Sequence, residues 1–320
     1  MGGFHLRRLH ERLGNFSIGA RSLRDATRSF ALNHDSPAEV RAELRRRGLT
    51  LKKRWGQNFL INRGARDSMV RWLSPERGDT VWEIGPGLGA MTEALLREGA
   101  VCTVFEIDRG LCGYLEDVYG ARDDFTLVCG DFVKTWREAL LDHGLPQLLL
   151  GNLPYRSASL MIVDIIIGGL RPRRAVMTVQ REAADRMCSA PGLKSYSSFS
   201  VLCQATFSLR ILGELKPGSF YPAPDVTSAI VELVPRKDAP SGSSLRILEV
   251  LARALFASRR KTIRNNLTAA LLPERVSRDN VLEALLQMHV DPAGRAEVLA
   301  PEIFVAVAKA LAPRFDQEIR

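Results

Sequence analysis

Short apolar runs alternate with helical patterns along the middle of the chain. The runs "DTVWEIG", "VCTVFEID", "FTLVCGD", "QLLLGN" and "RAVMTVQ" predict strands, because continuous apolar stretches of this length are typical of a sheet covered on both faces. "AMTEALLREG" and "LCGYLEDVYG" lie between the first three runs and space their apolar residues as a helix does. The alternation predicts an α/β fold with a parallel, doubly wound, Rossmann-like sheet.

The flanking segments divide the chain into regions. "SSFSVLCQATFS" fits a helix or a strand, and "LRILGEL" and "SAIVELVP" predict a hairpin or an antiparallel edge. A polar linker, "RKDAPSGSS", precedes helical spacing that continues to the end of the chain. Before the sheet, Ser36, Pro37 and Glu39 predict the start of a helix that ends near Gly48. We therefore predict a sheet domain at 36–236 and a small helical domain at 237–320.

Composition narrows the class of protein. The 320 residues are 46% hydrophobic and 25% charged, as in an ordinary globular protein. The most apolar stretch, "SASLMIVDIIIGGL", contains Asp164 and is too short to span a bilayer, so we expect no membrane segment. The five cysteines form no CxxC pair, which favours a reducing compartment and predicts neither a disulfide framework nor a metal site.

The positive charge is concentrated at the N-terminus. Of the net charge of +9, residues 1–54 carry +8. Residues 1–35 are rich in Arg and poor in acids, which fits an unstructured basic extension or a mitochondrial presequence. Arg45, Arg46 and Arg47 suit the last turn of the predicted helix, or contact with a nucleic-acid backbone.

Candidate ligand-binding residues lie where three predicted strands end. Gly85 and Gly87 form a glycine-rich turn that allows close approach of a ligand. Glu106 follows 21 residues after Gly85, where such folds place an acid on ribose hydroxyls. Asp131 ends the third strand and can accept from an adenine amino group. The pattern indicates an adenosine-containing cofactor, either NAD or S-adenosylmethionine.

Asn152, Leu153, Pro154 and Tyr155 end the fourth strand and favour the second of these cofactors. The Asn152 amide oxygen and the carbonyl of Leu153 or Pro154 can accept both hydrogens of an exocyclic amine and direct its lone pair at a methyl group. Tyr155 can stack on a base that has left its helix. Catalysis then depends on orientation and fixed dipoles, so the tetrapeptide predicts methyl transfer to a planar amine.

These motifs together are similar to the KsgA family of small-subunit ribosomal RNA adenine dimethyltransferases, over roughly residues 50–310. The matching segments are "KKRWGQNFL", "VWEIGPGLGAMTEAL", "VFEID", "GDF", "GNLPY", "VQREAADRM", "GSFYPAPDVTSAIVELVP" and "FASRRKTIRNNL". The resemblance implies that S-adenosylmethionine is the cofactor and that two adjacent adenosines near the 3′ end of 16S ribosomal RNA are dimethylated at N6 during small-subunit biogenesis. It also implies a cytoplasmic enzyme, which we expect to be a monomer.

The resemblance assigns roles to individual residues. Asn58 and Leu60 would close over the cofactor beside Gly85, Glu106 would hold the ribose, and Asp131 the adenine. Asn152 would lie between cofactor and target, and Phe220 would face Tyr155 across the flipped adenine. Arg156 stands where the family usually has Asn, which affects substrate positioning.

Two cationic segments are candidates for RNA contact. Arg253 to Arg264 hold five cations and no acid, and Leu255 and Phe256 would give the same helix an apolar side. Lys52, Lys53 and Arg54 form the second segment. Such residues suit phosphate contacts that position the RNA. The predicted RNA-binding residues of the first segment are Arg259, Arg260, Lys261 and Arg264.

Other functions remain open at this point. An enzyme of the erythromycin-resistance type would methylate 23S ribosomal RNA with a similar Asn-aliphatic-Pro-aromatic motif. A DNA adenine or protein glutamine methyltransferase would more often carry Asn-Pro-Pro-Tyr. A ribosome-assembly factor, or a relative of mitochondrial transcription factors, would bind nucleic acid without needing methylation. The intact Asn152–Tyr155 motif favours an active enzyme.

Overall fold

A mixed seven-stranded sheet forms the centre of the fold. The structure, a computed structural model, describes residues 32–52, 55–272 and 276–316. Most of the predicted basic extension therefore lies outside the described residues. The strands are β1 (Phe59–Leu60), β2 (Thr80–Ile84), β3 (Val101–Glu106), β4 (Phe125–Cys129), β5 (Leu148–Asn152), β6 (Arg174–Gln180), β7 (Phe207–Leu215), β8 (Phe220–Tyr221) and β9 (Ser228–Pro235).

The order of the strands confirms the predicted parallel sheet. The order is β4-β3-β2-β5-β6-β9-β7, and β2 to β6 all run parallel to one another. β9 pairs antiparallel with β6 and β7, as the predicted antiparallel edge requires. Since the order reverses between β2 and β5, their carboxyl ends open a crevice of the kind that binds ligands in doubly wound folds. β1 and β8 form a separate antiparallel pair.

Helices cover both faces of this sheet and form the C-terminal region. They are α1 (Pro37–Arg46), α2 (Arg63–Leu73), α3 (Ala90–Arg97), α4 (Arg109–Tyr119), α5 (Phe132–His143), α6 (Ala158–Ile167), α7 (Arg181–Met187), α8 (Ser198–Thr206), α9 (Gly242–Leu255), α10 (Ile263–Ala269), α11 (Arg278–Gln287) and α12 (Pro301–Asp316). The segment that fitted a helix or a strand is thus helical as α8.

The first helix has the boundaries that its sequence predicted. The Ser36 side chain accepts the Glu39 backbone N–H at 3.3 Å, which satisfies one of the free donors of the first turn. Gly48 follows the helix with a φ of +63°. Arg46 and Arg47 pair with Glu43, and Arg47 also reaches Asp117 on α4. These two arginines therefore form ion pairs within α1 and between α1 and α4.

The cationic segment between Arg253 and Arg264 is not one helix, which corrects the expectation from the sequence. α9 ends at Leu255 and α10 begins only at Ile263. The buried Asn266 amide explains the break, because it donates to the carbonyls of Leu255 and Ser258, each at 2.9 Å. Thr262 then caps α10 by accepting the Asn265 N–H at 3.3 Å. Arg259 and Arg260 therefore lie on a turn between the two helices, and Arg264 lies in the first turn of α10.

One hydrophobic core joins the sheet to the C-terminal helices. It runs from Trp82 and Phe105 in the sheet, through α6 and α8, to Leu248 on α9 and Phe304 on α12. The described residues from His34 onward form one compact unit. The boundary between 36–236 and 237–320 remains a prediction, and the two regions share their apolar interior.

The structure contains a disulfide, which was not expected. It joins Cys112 on α4 to Cys129 at the end of β4, with Cα atoms 6.0 Å apart. The two residues meet because α4 leads back from the end of β3 while β4 pairs beside that strand, where Glu106 lies opposite Cys129. Spacing along the chain does not reveal this proximity.

Among residues 32–52, 55–272 and 276–316, no helix has the length and apolarity needed to cross a bilayer.

Candidate active site

The glycine-rich turn lies between β2 and α3 and allows close packing. Gly85, Gly87 and Gly89 all have positive φ, between 60° and 80°. A Cβ on Gly87 would lie 2.8 Å from the Phe59 ring, and a Cβ on Gly89 would lie 2.7 Å from the Tyr119 ring. Glycine is therefore required here both for backbone conformation and for space. The turn brings its backbone against the segment that carries Asn58 and Leu60.

Two buried carboxyl groups lie behind and beside this turn. Glu106 ends β3 and accepts from the N–H groups of Gly87 at 3.2 Å and Asp108 at 2.8 Å. Glu83 is fully buried and accepts from the Thr92 hydroxyl at 2.6 Å, while its Oε1 has no hydrogen-bond partner among the described residues. Burial raises the pKa of each carboxyl to about 7. Glu106 thus offers a buried acceptor at a strand end.

The loop before β1 is held to the end of β3 by hydrogen bonds. Asp108 accepts from Lys52 Nζ at 3.3 Å and from Gln57 Nε2 at 3.1 Å. The Lys52 ammonium also lies 4.2 Å from the centre of the Trp55 ring. Lys52 is therefore engaged within the chain, and its contact with RNA stays a prediction. Lys53 and Arg54 lie outside the described residues.

The Asn152 amide is fixed at the carboxyl end of β5. Its Nδ2 donates to the Asn58 carbonyl at 2.7 Å, which uses an amide N–H and leaves Oδ1 as the acceptor for another group. Leu153 is buried and donates its N–H to the Thr178 carbonyl at 3.1 Å. The Pro154 carbonyl accepts from the N–H groups of Ser157 and Ala158, each at 3.0 Å. The motif is thus held rigidly between β5 and α6.

The aromatic residues predicted to hold the base lie beside this motif in different environments. Tyr155 is half-buried, and its hydroxyl shares a hydrogen bond with the Ser228 hydroxyl on β9. Burial raises the pKa of this phenol, so it stays protonated at neutral pH. Phe220 is buried on β8 opposite Leu60. Arg156 is exposed.

A cavity at the strand ends brings together most of the predicted cofactor residues. It has about 90 Å³ of room for water-sized molecules. Its lining includes Asn58, Leu60, Gly85, Gly87, Glu106, Asn152 and Pro154. Asp131 is outside this lining, and its carboxylate accepts the Val133 N–H at 3.2 Å as the N-cap of α5. Leu153, Tyr155 and Phe220 are also outside the lining.

Residues that the sequence did not indicate also contribute to this cavity. His34, Arg66 and Gln57 line it, and Ser228 holds Tyr155 from a neighbouring strand. His34 belongs to the segment interpreted as extension, so its position next to the site could not be seen. Ser228 lies within the matching segment "FYPAPDVTSAIV", which was the available signal. The described residues contain no cluster of three or more metal-ligating side chains.

The turn between α9 and α10 and the start of α10 carry one engaged arginine and three exposed cations. Arg259 Nε donates to Glu297 at 2.8 Å, and its other nitrogens donate to the carbonyls of Leu193, Lys194 and Tyr196. Arg260, Lys261 and Arg264 are exposed. The engagement of Arg259 favours a structural role over the predicted RNA contact, because all of its donor groups are used within the chain.

Solved structures share this fold. A dimethyladenosine transferase from Plasmodium falciparum has a TM-score of 0.66 at 21% identity, and the match covers 79% of this chain and 97% of that one. The 23S rRNA methyltransferase ErmE has a TM-score of 0.57 at 22% identity, with 79% of this chain and 99% of that one covered. These matches show that the chain has the Rossmann-like fold of those two proteins.

Sequence comparison is more specific than the fold. The family described as ribosomal RNA adenine dimethylase matches residues 48–311. A relative from Treponema denticola, ribosomal RNA small subunit methyltransferase A, is 40% identical over 237 residues, which are 73% of this chain and 81% of that protein. The chain belongs to the ribosomal RNA adenine dimethylase family. It is an rRNA adenine dimethyltransferase, and its reaction requires a methyl donor.

Proposed function

We propose that the protein transfers methyl groups from S-adenosylmethionine to the N6 amines of two adjacent adenosines near the 3′ end of 16S ribosomal RNA. It would act as a monomer on the small ribosomal subunit, in the cytoplasm. The observation that carries the proposal is the fixed position of the Asn152 amide beside the glycine turn. Its Nδ2 donates to the Asn58 carbonyl at 2.7 Å. The small-subunit assignment follows the name of the Treponema denticola relative.

The cavity fits the proposed cofactor. The glycines leave a cradle that a Cβ on Gly87 would fill, since it would meet the Phe59 ring at 2.8 Å. Glu106 offers a buried carboxylate to ribose hydroxyls, and Asn58 and Leu60 line the same cavity. When bound, the cofactor supplies an electrophilic methyl group on a sulfonium sulfur. Asp131 is available to an adenine amino group only through the oxygen that does not cap α5.

The motif after β5 orients the amine of the target base. Asn152 Oδ1 accepts one amine hydrogen, because Nδ2 is already used by Asn58. A backbone carbonyl accepts the other hydrogen, and the two bonds direct the nitrogen lone pair toward the methyl group. The sequence left this carbonyl open between Leu153 and Pro154. We assign it to Leu153, since the Pro154 carbonyl already accepts from Ser157 and Ala158.

No residue has to act as a strong base in this scheme. The methylated amine is a cation that loses its extra proton readily to water. Asn152 and the backbone therefore supply fixed dipoles and geometry. Tyr155 stacks on the extruded base from the other side, with its hydroxyl held by Ser228. The exposed Arg260, Lys261 and Arg264 contact the RNA backbone.

Methyl transfer from labelled S-adenosylmethionine to unmethylated small subunits tests the proposal. Large-subunit RNA and DNA serve as parallel substrates, and the product is mapped for dimethyladenosine. We expect label in two adjacent small-subunit adenosines and a loss of about 10²–10³ in kcat for Asn152→Ala. Asn280→Ala on α11, outside the cavity, is the matched control and should retain full activity.

Other labelling patterns would contradict the proposal. Label in large-subunit RNA would move the protein to the erythromycin-resistance type. Label in DNA would make it a DNA adenine methyltransferase. Binding of small subunits without any label would leave an assembly factor.

A further inference from the structure

The chain before α1 forms part of the cavity wall. His34 and Val40 line the cavity together with Gly85, Gly87 and Glu106. His34 lies N-terminal to residues 48–311, which carry the match to the family. The family relationship therefore assigns no role to this residue.

A buried arginine fixes the position of this segment. Arg66 on α2 is only 6% exposed, and its Nη1 donates to the Leu60 carbonyl at 2.7 Å. Its Nη2 bonds to the carboxylate of Asp35, the neighbour of His34. One guanidinium thus connects the "GQNFL" segment to the residue after His34. The backbone next to His34 is therefore fixed by a buried arginine that bonds to the partly exposed carboxylate of Asp35.

His34 and Glu106 line the cavity from different elements of the chain. His34 Nε2 is 3.8 Å from Glu93 Oε2, in the first turn of α3. Glu106 lies at the end of β3, where Ile107 and Leu111 also line the cavity. The ribose and adenine of the proposed cofactor belong at the β3 end. Its amino-acid half is then directed to the α3 end.

The chemistry at the α3 end suits a zwitterion. Burial and the neighbouring Arg66 lower the pKa of His34 to about 4, so the imidazole is neutral at neutral pH. A neutral imidazole offers one N–H donor and one acceptor nitrogen. Arg66 is the only Lys or Arg that lines the cavity in the described part of the chain. The acceptor and the donor of the imidazole match an α-ammonium and an α-carboxylate, while the Arg66 cation is paired with Asp35.

We propose that His34 is a cofactor-binding residue that hydrogen-bonds the α-amino-acid group of the methyl donor. The inference rests on the proposed function, because it takes S-adenosylmethionine as the donor. It adds a recognition element upstream of the residues that the family match covers.

Equilibrium binding of two ligands to the full chain tests this role. S-adenosylhomocysteine carries the amino-acid group, and 5′-methylthioadenosine lacks it while keeping the adenosine half. We expect His34→Ala to weaken binding of S-adenosylhomocysteine by about tenfold, the effect of one lost buried hydrogen bond. Binding of 5′-methylthioadenosine should change less than about twofold and shows that the variant is folded. His34→Gln should recover part of the loss, and His143→Ala, an exposed histidine on α5, should behave as wild type.

The outcomes separate this inference from the proposed function. If His34→Ala binds each ligand as tightly as the wild type does, the role of His34 is overturned and the proposed function remains intact. An equal loss of both ligands would also overturn it, since His34 would then support the whole cavity. Failure of the wild-type chain to bind either ligand would overturn the proposed function itself.

Discussion

In the cavity, Glu106 and Asn152 are hydrogen-bonded to the chain's own backbone, whereas most polar groups in the turn between α9 and α10 face solvent. Glu106 accepts two backbone N–H groups, and Asn152 donates to a backbone carbonyl. Arg260 and Lys261 are exposed. Fixed dipoles suit a reaction that depends on geometry, while mobile cations suit an RNA backbone contacted at many phosphates.

Arg259 lies in the second region but has the character of the first. Its guanidinium is engaged by Glu297 and by three carbonyls. Its neighbour Arg260 is exposed, although the two residues are identical and adjacent. A count of charges along the sequence therefore overestimates the RNA-binding surface, because it does not show which cations already have partners.

The largest effect after Asn152 is expected in the glycine turn. Gly87→Ala should weaken cofactor binding at least about tenfold, since the new Cβ would meet Phe59 at 2.8 Å in a backbone conformation with φ of +60°. Calorimetric titration with S-adenosylhomocysteine measures this loss. Gly113→Ala in α4 is the control, because nothing lies within 4 Å of its Cβ position. Unchanged binding in Gly87→Ala would show that the turn does not hold the cofactor.

The two buried carboxyls should give binding and stability opposite dependences on pH. Both have a pKa raised to about 7 in the folded chain, so each is protonated in the folded state over a range where the unfolded chain is ionised. Stability of the free protein should therefore rise as pH falls from 8 to 6. Affinity for the cofactor should fall about tenfold over the same range, because ribose hydroxyls donate best to an ionised Glu106.

Melting temperature and S-adenosylhomocysteine affinity, measured at each pH, check this pair of effects. Glu106→Gln should remove most of the pH dependence of affinity and keep the shape of the side chain. An affinity that stays constant between pH 6 and 8 in the wild-type chain would contradict the role of Glu106.

A smaller effect is expected for Ser228, which holds the tyrosine proposed to stack on the base. Ser228→Ala should lower kcat several-fold, because the Tyr155 hydroxyl loses the partner that orients its ring. The effects of Ser228→Ala and Tyr155→Phe should be non-additive in a double-mutant cycle, since each removes the same hydrogen bond. Cofactor affinity should not change. Additive losses in kcat would mean that Ser228 does not act through Tyr155.

The smallest effects are expected for Arg259 and Arg260, whose alanine variants should differ in kind. Arg260→Ala should reduce the salt dependence of RNA binding by about one unit in log–log slope, with an unchanged melting temperature. Arg259→Ala should instead destabilise the fold by about 1–3 kcal/mol, because it leaves Glu297 and several carbonyls without a partner. Filter binding at several salt concentrations and thermal denaturation measure the two effects. If Arg259→Ala instead reduced the salt dependence of RNA binding and left the melting temperature unchanged, Arg259 would leave its partners to bind RNA.

Much of this molecule could be predicted from local sequence. The strands around "VWEIG" and "VFEID", the cap at Ser36 and the glycine turn follow from hydrophobic period, capping chemistry and the conformational freedom of glycine. The order of strand ends also placed Glu106 and Asn152 near one another, because parallel strands present their carboxyl ends at one edge. Apart from that pairing of strand ends, these features depend on residues close in the chain.

Only the tertiary structure decided which groups already have partners and which distant segments meet. Asn266 ends a helix that hydrophobic spacing alone would continue, and Cys112 meets Cys129 only because α4 returns along β4. Arg66 brings His34 to the cavity by binding both Leu60 and Asp35. The physical reason is the same in each case. A hydrogen bond, an ion pair or a disulfide between distant residues forms only where packing brings its partners together, and no periodicity in the sequence records that meeting.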